Sequence, residues 1–403
     1  MKSVRRETAS RALLEQYRQE ISRCVKCGSC GTVCPPAILE RSESLSARGR
    51  MAIIKAVLDK KLPVSAIFKD RLATCTGCLA CEASCPSNVP VTEIIEAAKQ
   101  EAVRESGFGL INRIVSYSLK NDVAMHSLAW LAPFVLHYPG GALKGKGVSA
   151  SGHRLEAGFV TKEKTRGRVA LFPGCAINHF QQDIGQAAIK VLSAIGHDVI
   201  VPKDLQCCGR PHLSFGDRKS AEDLALKNSA ILAGLQVDAV VTACASCGLT
   251  FKKGYPKLLP PGVRMPRVLD IHELLSHGFS EKELRAVQKT VTVHDPCHLG
   301  RGQGLSGTAR AVLRSVPGLV LVEMKNADRC CGFGGVMRIT HGELSNAIGG
   351  DKAAMIIATG ASSVVTGCPS CRMQIAEALR RAGSHIDVVH TVQILEEALV
   401  SEE

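Results

Sequence analysis

Two stretches of this sequence share one cysteine spacing: CVKCGSCGTVCP at residues 24–35 and CTGCLACEASCP at residues 75–86. In each stretch three cysteines are separated by two residues, and a fourth follows after three more residues, directly before a proline. Three thiolates at this spacing lie on one tight loop, whereas the fourth cannot reach the same metal centre. The repeat therefore predicts two neighbouring centres that exchange their fourth ligands.

This spacing is that of the bacterial ferredoxin run, which binds [4Fe–4S] clusters. We assign one cubane cluster to Cys24, Cys27, Cys30 and Cys85. The second cubane cluster is assigned to Cys75, Cys78, Cys81 and Cys34. Zinc is the alternative, since C-x2-C pairs also bind zinc, and a zinc-stabilised interaction scaffold is the corresponding function. Two identical runs of this kind are rare in zinc sites, so the spacing favours iron–sulfur clusters.

The other ten cysteines form two sets of five in the same order. The first set is Cys175, Cys207, Cys208, Cys244 and Cys247. The second set is Cys297, Cys330, Cys331, Cys368 and Cys371. Corresponding cysteines are 122 to 124 residues apart, so the C-terminal half contains two copies of one unit, which we expect to be related by a pseudo-twofold axis. Five thiolates exceed the four of a tetrahedral zinc site or an ordinary cubane.

From Arg168 onward, short β-branched runs alternate with helical patterns. The predicted strands are Val169–Phe172, Asp198–Val201, Ala239–Thr242, Thr290–His294, Leu319–Glu323 and Ser363–Thr366. The predicted helices are Gln182–Ile195, Ala221–Leu235, Thr308–Val316 and Asn346–Thr359. This alternation implies a parallel sheet in each copy. Sites gather at the carboxyl ends of such strands, which is where we expect Cys175, Cys244, Cys297 and Cys368.

A chain of 403 residues is too long for one ordinary core. We predict a ferredoxin-type domain at 1–100, a helical segment and glycine-rich basic linker at 101–167, and two α/β domains at 168–285 and 286–403. The predicted fold class is therefore α+β and multi-domain. A helical N-terminal domain that holds two clusters is followed by two pseudo-twofold-related α/β domains.

The formal net charge of +13 suits an anionic partner or a solvated surface, and the aromatic content of 4% argues against nucleic-acid recognition by base stacking. Met1–Ser10 lacks the apolar core of a secretion signal, which predicts a cytoplasmic protein. The apolar run Val123–Tyr138 is too short to span a bilayer. A buried or partner-facing helix is the favoured interpretation of that run, and peripheral contact with the inner face of the membrane is the alternative.

The five-cysteine sets resemble the cysteine-rich CCG domain found in the B subunit of heterodisulfide reductase and its relatives. The segment Cys208-Gly209-Arg210-Pro211 with Gly216 is similar to that family's C-C-G-x-P extension, and Ala47–Arg50 resembles its R-G-R stretch. Two ferredoxin runs before two CCG domains resemble the glycolate oxidase iron–sulfur subunit family over about residues 10 to 400. The iron–sulfur subunit of anaerobic glycerol-3-phosphate dehydrogenase and the D subunit of heterodisulfide reductase share much of this layout.

This resemblance implies an electron-transfer subunit of a flavin-dependent 2-hydroxy-acid dehydrogenase that acts on glycolate or D-lactate. An FAD-containing subunit would oxidise the substrate, and electrons would pass through the clusters to a quinone or another electron carrier. The CCG resemblance also implies one or two noncubane [4Fe–4S] clusters. The alternative function is a catalytic subunit, like heterodisulfide reductase, that reduces a disulfide or menaquinone at those clusters.

No G-x-G-x-x-G motif opens a helix after a strand, so we expect the flavin on another polypeptide. The stretch Gly300–Gly304 lacks the P-loop pattern, and we predict a flexible loop there. His212, His294 and His298 lie near CCG cysteines. Proton transfer and simple hydrogen bonding are both open for these histidines, and no catalytic residue is assigned.

Overall fold

The computed structural model describes residues 12–121, 124–125, 155, 159–160, 166–276, 279 and 284–400. The chain divides into two compact units. The first unit comprises Met1–Ser116, Pro211–Ala221 and Gly332–Gly349, and the second comprises Tyr117–Arg210, Glu222–Cys331 and Gly350–Glu403. The first unit therefore holds all eight cysteines of the ferredoxin runs, and the second holds all ten of the CCG sets. The predicted linker and the apolar run Val123–Tyr138 lie largely outside the described residues.

The N-terminal region is helical. Its helices are α1 (Ala12–Glu15), α2 (Arg18–Ser22), α3 (Pro35–Glu40), α4 (Ala47–Leu58), α5 (Ala66–Ala73), α6 (Ala80–Ala83), α7 (Val91–Ser106) and α8 (Leu110–Lys120). Ser46 caps α4 and Ser65 caps α5, each accepting a hydrogen bond from a backbone N–H of the first turn. Apolar side chains of α4, α5 and α7 form the core of this unit, among them Ile54, Leu72 and Ile94.

The first CCG copy contains a five-stranded sheet in the order β1-β3-β2-β4-β5. Its strands are β1 (Phe159–Val160), β2 (Gly167–Phe172), β3 (His197–Ile200), β4 (Ala239–Thr242) and β5 (Arg267–Asp270). Its helices are α9 (Gly174–Phe180), α10 (Gln182–Ala194), α11 (Arg210–Phe215), α12 (Arg218–Ala233), α13 (Ala245–Leu249), α14 (Tyr255–Leu258) and α15 (Ile271–Leu275). Strands β2 to β5 are parallel, and β1 pairs with β3 in the antiparallel direction.

The second copy repeats this plan with four parallel strands in the order β7-β6-β8-β9. Its strands are β6 (Lys289–His294), β7 (Leu319–Leu321), β8 (Ser363–Thr366) and β9 (Asp387–His390). Its helices are α16 (Cys297–Gln303), α17 (Thr308–Arg314), α18 (Val336–Thr340), α19 (Gly342–Ile357), α20 (Pro369–Arg381) and α21 (Thr391–Ala398). The order β7-β6-β8-β9 corresponds strand by strand to β3-β2-β4-β5, so the two copies have one topology.

The contacts between the two copies are reciprocal. Helix α10 of the first copy packs against α21 of the second, and the equivalent helices α17 and α15 also pack together. Likewise, α13 of the first copy packs against α16 of the second, and the equivalent helices α20 and α9 pack together. Reciprocal contacts of this kind are produced by a twofold axis. The pseudo-twofold relation inferred from the cysteine offsets is therefore present in the structure.

Two short segments from the CCG half complete the helical unit. The Nε2 atom of His212 lies 3.1 Å from the carbonyl oxygen of Ser116, whose hydroxyl donates to Asp217 at 2.6 Å. The Nε2 atom of His341 lies 2.9 Å from a carboxylate oxygen of Asp70. The segments 211–221 and 332–349 each begin within three residues of an adjacent cysteine pair. The chain therefore leaves each pair to become part of the first unit.

The six predicted strands and four predicted helices are all present, with ends that differ by a few residues. Strands β5 and β9 were not predicted, because each is a half-exposed edge strand of four residues with mixed polarity. The loop prediction for Gly300–Gly304 is wrong, since Gly300–Gln303 belong to α16. A Cβ atom at Gly302 would come within 2.9 Å of the Leu249 side chain, so glycine allows α16 to pack closely on α13.

Within the described residues, every helix falls short of the length and apolar character that crossing a bilayer requires.

Candidate metal centres

The two ferredoxin runs have the same backbone shape. The residues on either side of the central cysteine have positive φ angles: 57° and 89° at Lys26 and Gly28, and 64° and 62° at Gly77 and Leu79. Turns of alternating handedness of this kind direct successive N–H groups into one concavity, where they favour an anion. Both loops are therefore shaped to surround a negatively charged group.

The ferredoxin cysteines lie close together in two neighbouring groups. One pocket is lined by Cys24, Cys27, Cys30 and Cys85, and Cys81 also reaches it. Cys34 interacts electrostatically with Cys75 and Cys78, and so does Cys81. Burial raises the pKa of Cys34 and of Cys81, so their thiolate forms need a nearby cation. Iron would supply that charge, and the donor set fits two neighbouring [4Fe–4S] clusters.

An R-G-R segment at the start of α4 places one arginine beside each group of thiolates. Arg48 donates to the carbonyl oxygen of Lys26 at 3.1 Å and interacts with Cys24 and Cys30. Arg50 is fully buried, and its guanidinium lies 3.8 Å from the sulfur of Cys34. These two cations stabilise the negative charge of cluster ligands. The sequence showed this segment only as a family likeness, without a role.

Arg50 is held in place by further hydrogen bonds, which it donates to the carbonyl oxygen of Arg71 at 2.8 Å and to the Thr74 hydroxyl at 2.7 Å. Between the arginines, a Cβ atom at Gly49 would lie 2.0 Å from the carbonyl oxygen of Glu43. Only glycine fits at that position. The close packing of α4 against residue 43 therefore fixes where both arginines point.

The ten CCG cysteines lie in the turns and first helical turns that follow β2, β4, β6 and β8, and in the two loops that carry the adjacent pairs. Cys175 and Cys297 lie in the first turns of α9 and α16, after β2 and β6. Cys244 and Cys368 are the N-cap residues of α13 and α20, after β4 and β8. The remaining six are Cys207, Cys208, Cys247, Cys330, Cys331 and Cys371, all of them buried.

Sulfur contacts connect neighbouring cysteines within each set. In the first copy Cys207 interacts with Cys175 and Cys208, and Cys208 in turn interacts with Cys247. In the second copy the sulfur atoms of Cys331 and Cys371 are 3.5 Å apart. The two sets also meet, because Cys244 interacts with Cys368 and the N–H of Ala245 donates to the carbonyl oxygen of Gly367. The two five-cysteine sites are therefore immediate neighbours.

The first difference between the two sites is the residue that ends the central strand. His294 ends β6 where Phe172 ends β2, at the same offset of 122 that separates Cys175 from Cys297. The ligand atoms of His294, Cys331 and Cys371 all lie within 4.8 Å of one another. Neither ring nitrogen of His294 has a hydrogen-bond partner among the described residues. Burial lowers the pKa of His294 to about 3, so its imidazole is neutral. A neutral imidazole can coordinate a metal ion or accept a hydrogen bond.

A second difference is a buried cation. Lys352 donates to the carbonyl oxygen of Asn326 at 2.8 Å and interacts with Cys330 and Cys331. Burial lowers the pKa of Lys352 to about 8, which leaves it mostly protonated at neutral pH. The first copy has Asn228 at this place, where it donates to the carbonyl oxygen of Cys207 at 3.1 Å. Lys352 was missed from the sequence, although an alignment of the two copies would have paired it with Asn228.

We expect Lys352→Asn to lower the reduction potential of the second CCG site by about 30 to 60 mV, since 59 mV for one electron corresponds to about 1.4 kcal/mol. The change removes a cation that stabilises the more negative, reduced state. A redox titration followed by EPR measures the shift. Lys190→Asn is the matched control, because the Lys190 side chain is 63% exposed and forms an ion pair with Glu396 at the surface. An unchanged potential in Lys352→Asn would contradict the electrostatic role.

Comparison with known proteins agrees with this arrangement. Residues 20–89 match the 4Fe-4S dicluster domain family, and residues 169–252 and 291–376 each match the cysteine-rich CCG domain family. The B subunit of the fumarate reductase (CoM/CoB) of Methanothermobacter marburgensis is 30% identical over 95% of this chain and 73% of its own length. The chain belongs to this family of iron–sulfur proteins. We call it the dicluster–CCG family.

Two further members match this chain over 94% of both lengths. A probable glycolate oxidase iron–sulfur subunit of Bacillus subtilis is 28% identical. The D subunit of the dihydromethanophenazine:CoB–CoM heterodisulfide reductase of Methanosarcina barkeri is 27% identical. The predicted family and multi-domain α+β fold are therefore confirmed. As a member of the dicluster–CCG family, the chain is an iron–sulfur electron-transfer protein, and its relatives are oxidoreductase subunits.

Proposed function

We propose that this chain is the electron-transfer subunit of a flavin-dependent 2-hydroxy-acid dehydrogenase complex that oxidises glycolate or D-lactate. The observation that carries the proposal is the end-to-end likeness to the B. subtilis glycolate oxidase iron–sulfur subunit. The sequence lacks a dinucleotide-binding fingerprint, which supports placing the FAD on a partner subunit. We place the complex at the cytoplasmic face of the membrane, with a quinone or another electron carrier as acceptor.

We further propose how the cysteines are used. Cys24, Cys27, Cys30 and Cys85 bind one cubane cluster, and Cys75, Cys78, Cys81 and Cys34 bind the other. One or both CCG sets bind a noncubane [4Fe–4S] cluster, with zinc as the less favoured occupant. These groups supply one-electron redox chemistry when bound. The protein excludes water from their sulfur ligands and supplies the cations Arg48, Arg50 and Lys352 beside them.

The metal content tests this assignment. Chain purified without oxygen is expected to contain about sixteen irons and give two types of EPR signal, from two cubane and two noncubane clusters. Iron, sulfide and zinc are counted per polypeptide, and spectra are recorded in both redox states. About eight irons would reject clusters in the CCG sets.

The partner is tested by purification and turnover. We expect the chain to copurify with a flavoprotein and, by itself, to leave glycolate and D-lactate unoxidised. The complex is then expected to reduce a quinone analogue with either acid as donor. Oxidation of a hydroxy acid by the isolated, iron-loaded chain would contradict the division of labour between the two subunits.

A second function is favoured by one observation: both five-cysteine sites are complete and adjoin at Cys244 and Cys368. A chain like the D subunit of heterodisulfide reductase would use them to reduce a disulfide or menaquinone. With reduced methyl viologen as donor, this function predicts turnover of a disulfide by the fully iron-loaded chain. Turnover that is lost in Cys208→Ser and Cys331→Ser would support it, whereas no turnover by the wild-type chain would count against it.

A further inference from the structure

A cavity of 360 Å³ lies within the first unit, separate from the pockets that the cysteines line. Its walls come from α5, α7, the start of α8 and the two segments 211–221 and 332–349. The volume is in the range of pockets that hold small organic ligands. None of the functions described above uses this space.

The cavity lies beside the second ferredoxin run. Leu72 and Ala73 line it, and Cys75 follows Ala73 by two residues, a distance of at most about 7 Å along the chain. Val336 also lines the cavity and follows Gly334 by two residues. A Cβ atom at Gly334 would come within 3.3 Å of the Thr76 side chain. Both walls therefore adjoin the loop Cys75–Cys78. A ligand in this cavity is in a position to exchange electrons with a cluster held by that loop.

The lining combines apolar surface with a few hydrogen-bonding groups. Phe108 and Phe215 provide aromatic faces that can stack on a planar ring. Lys99 and Asn112 provide N–H groups that can donate to carbonyl oxygens. Such a lining suits a flat, mostly apolar molecule that carries carbonyl groups.

The cavity wall also contains a pair that can hold a proton. His341 Nε2 faces the Asp70 carboxylate at 2.9 Å, and Nδ1 lies 2.8 Å from the Thr340 hydroxyl, which donates to the carbonyl oxygen of Val336 at 3.1 Å. The Asp70 carboxylate can only accept a hydrogen bond, and the Thr340 hydroxyl already donates its hydrogen to Val336. Both hydrogen bonds of the imidazole therefore form when each ring nitrogen of His341 carries a hydrogen. A ligand oxygen that displaced the Thr340 hydroxyl from Nδ1 would accept this N–H group, which places His341 to pass a proton to the ligand.

The helices that border the cavity expose large apolar side chains. Ile67 on α5 is 69% exposed, and Leu110 and Ile114 on α8 are 73% and 49% exposed. These side chains add exposed apolar surface to two of the helices that line the cavity. This feature matches a ligand that partitions into lipid.

We propose that this cavity binds the head ring of a lipid-soluble quinone, which accepts electrons from the iron–sulfur cluster of the second ferredoxin run. The inference rests on the proposed function and specifies its acceptor site. Reduction of one quinone to the quinol consumes two electrons and two protons. A cluster held by the second ferredoxin run would supply the electrons one at a time. One proton comes from His341 and the other from solvent at the open mouth of the cavity.

Filling the cavity tests the proposal. Gly109 lines the cavity and does not have the left-handed backbone conformation that disfavours a side chain. A Cβ atom added at Gly109 would meet no described atom within 4 Å. Gly109→Phe therefore adds a large ring at the cavity wall without a clash at Cβ, and it is expected to narrow the binding space. Gly350→Phe is the matched control, because Gly350 lies on an exposed face of α19, away from the cavity, and is equally uncrowded.

The probe is menadione, a 2-methyl-1,4-naphthoquinone, with the full-length, iron-loaded chain. Its dissociation constant is measured by calorimetry on oxidised protein. The rate at which it reoxidises dithionite-reduced protein is measured by stopped-flow absorbance. Gly109→Phe is expected to weaken binding and slow reoxidation by at least about tenfold, as the loss of a principal binding contact does. Ferricyanide, which needs no binding pocket, is expected to reoxidise both variants at the wild-type rate.

Two results would overturn the proposal. The first is equal binding and reoxidation in Gly109→Phe and wild type, which would place quinone reduction elsewhere and leave the electron-transfer function intact. The second is wild-type protein that ferricyanide reoxidises but menadione neither binds nor reoxidises. Protein whose clusters neither accept nor return electrons with any reagent would instead reject the proposed function itself.

The proton-delivery step has its own variant. His341→Gln keeps a hydrogen-bonding group but cannot carry the proton, so reoxidation by menadione is expected to slow about tenfold with an unchanged dissociation constant. An unchanged rate would remove His341 from the proposal.

Discussion

In the flavoprotein complex proposed above, Cys78→Ser is expected to leave flavin reduction by substrate intact and to lower electron transfer to the acceptor by more than about 100-fold, since even an outer-shell partner of a metal site is worth 10–100-fold. Cys78 is the central thiolate of the second run, is 7% exposed and lies between two residues with positive φ. A serine hydroxyl is a poor substitute for the soft thiolate that iron–sulfur clusters need.

The measurement separates the two half-reactions. Stopped-flow absorbance follows flavin bleaching by glycolate or D-lactate, and steady-state turnover with a quinone analogue follows the whole path. Ala83→Ser is the control, because it adds a hydroxyl at an exposed position of the same run and removes no thiolate. Wild-type turnover in Cys78→Ser would falsify the assignment of this cysteine to the electron path.

Cys331→Ser is expected to spare both cubane clusters, to remove about four irons and to lower strongly any electron transfer that passes through the second CCG site. The Cys331 sulfur is 3.5 Å from that of Cys371 and within 4.8 Å of a ring nitrogen of His294. Loss of this thiolate would remove one of the buried donors that surround the proposed cluster. EPR of the reduced protein, iron analysis and turnover together measure the three effects.

The equivalent change Cys208→Ser serves as the comparison in the first copy. If both variants lower turnover, both CCG sites lie on the electron path. If Cys331→Ser transfers electrons at the wild-type rate while its iron content falls, the second CCG site plays no part in the transfer. That result would leave the dicluster unit as the complete path.

The cysteine pattern allowed most of the fold to be predicted. The ferredoxin spacing is a local signal, because three thiolates and a proline within twelve residues determine the shape of one loop. The repeat is also readable, since Cys175 and Cys297 mark the same turn after β2 and β6. The edge strands β5 and β9 give a weaker signal, because half of each faces solvent and its hydrophobic pattern is interrupted.

Other features depend on contacts that no local pattern contains. The pairing of Asp70 with His341 joins residues 271 positions apart. The burial of Lys352 is unexpected for a lysine, and the sequence around it reads as an ordinary helix. His294 was noticed for its place near Cys297, but only the structure shows that both of its ring nitrogens lack a partner among the described residues.

The composition of the first unit has a consequence for how the protein is made. Once the ribosome has added Cys85, all eight ferredoxin cysteines are present in the growing chain. Gly349, the last residue of the first unit, follows 264 residues later. At about 5–20 residues per second this distance takes roughly 13 to 53 s. Asp70 lacks His341 for almost all of that interval, and Ser116 lacks His212 until residue 212 has been added. Iron must therefore either bind before the segment 332–349 has joined the first unit or bind only after residue 349 has been translated.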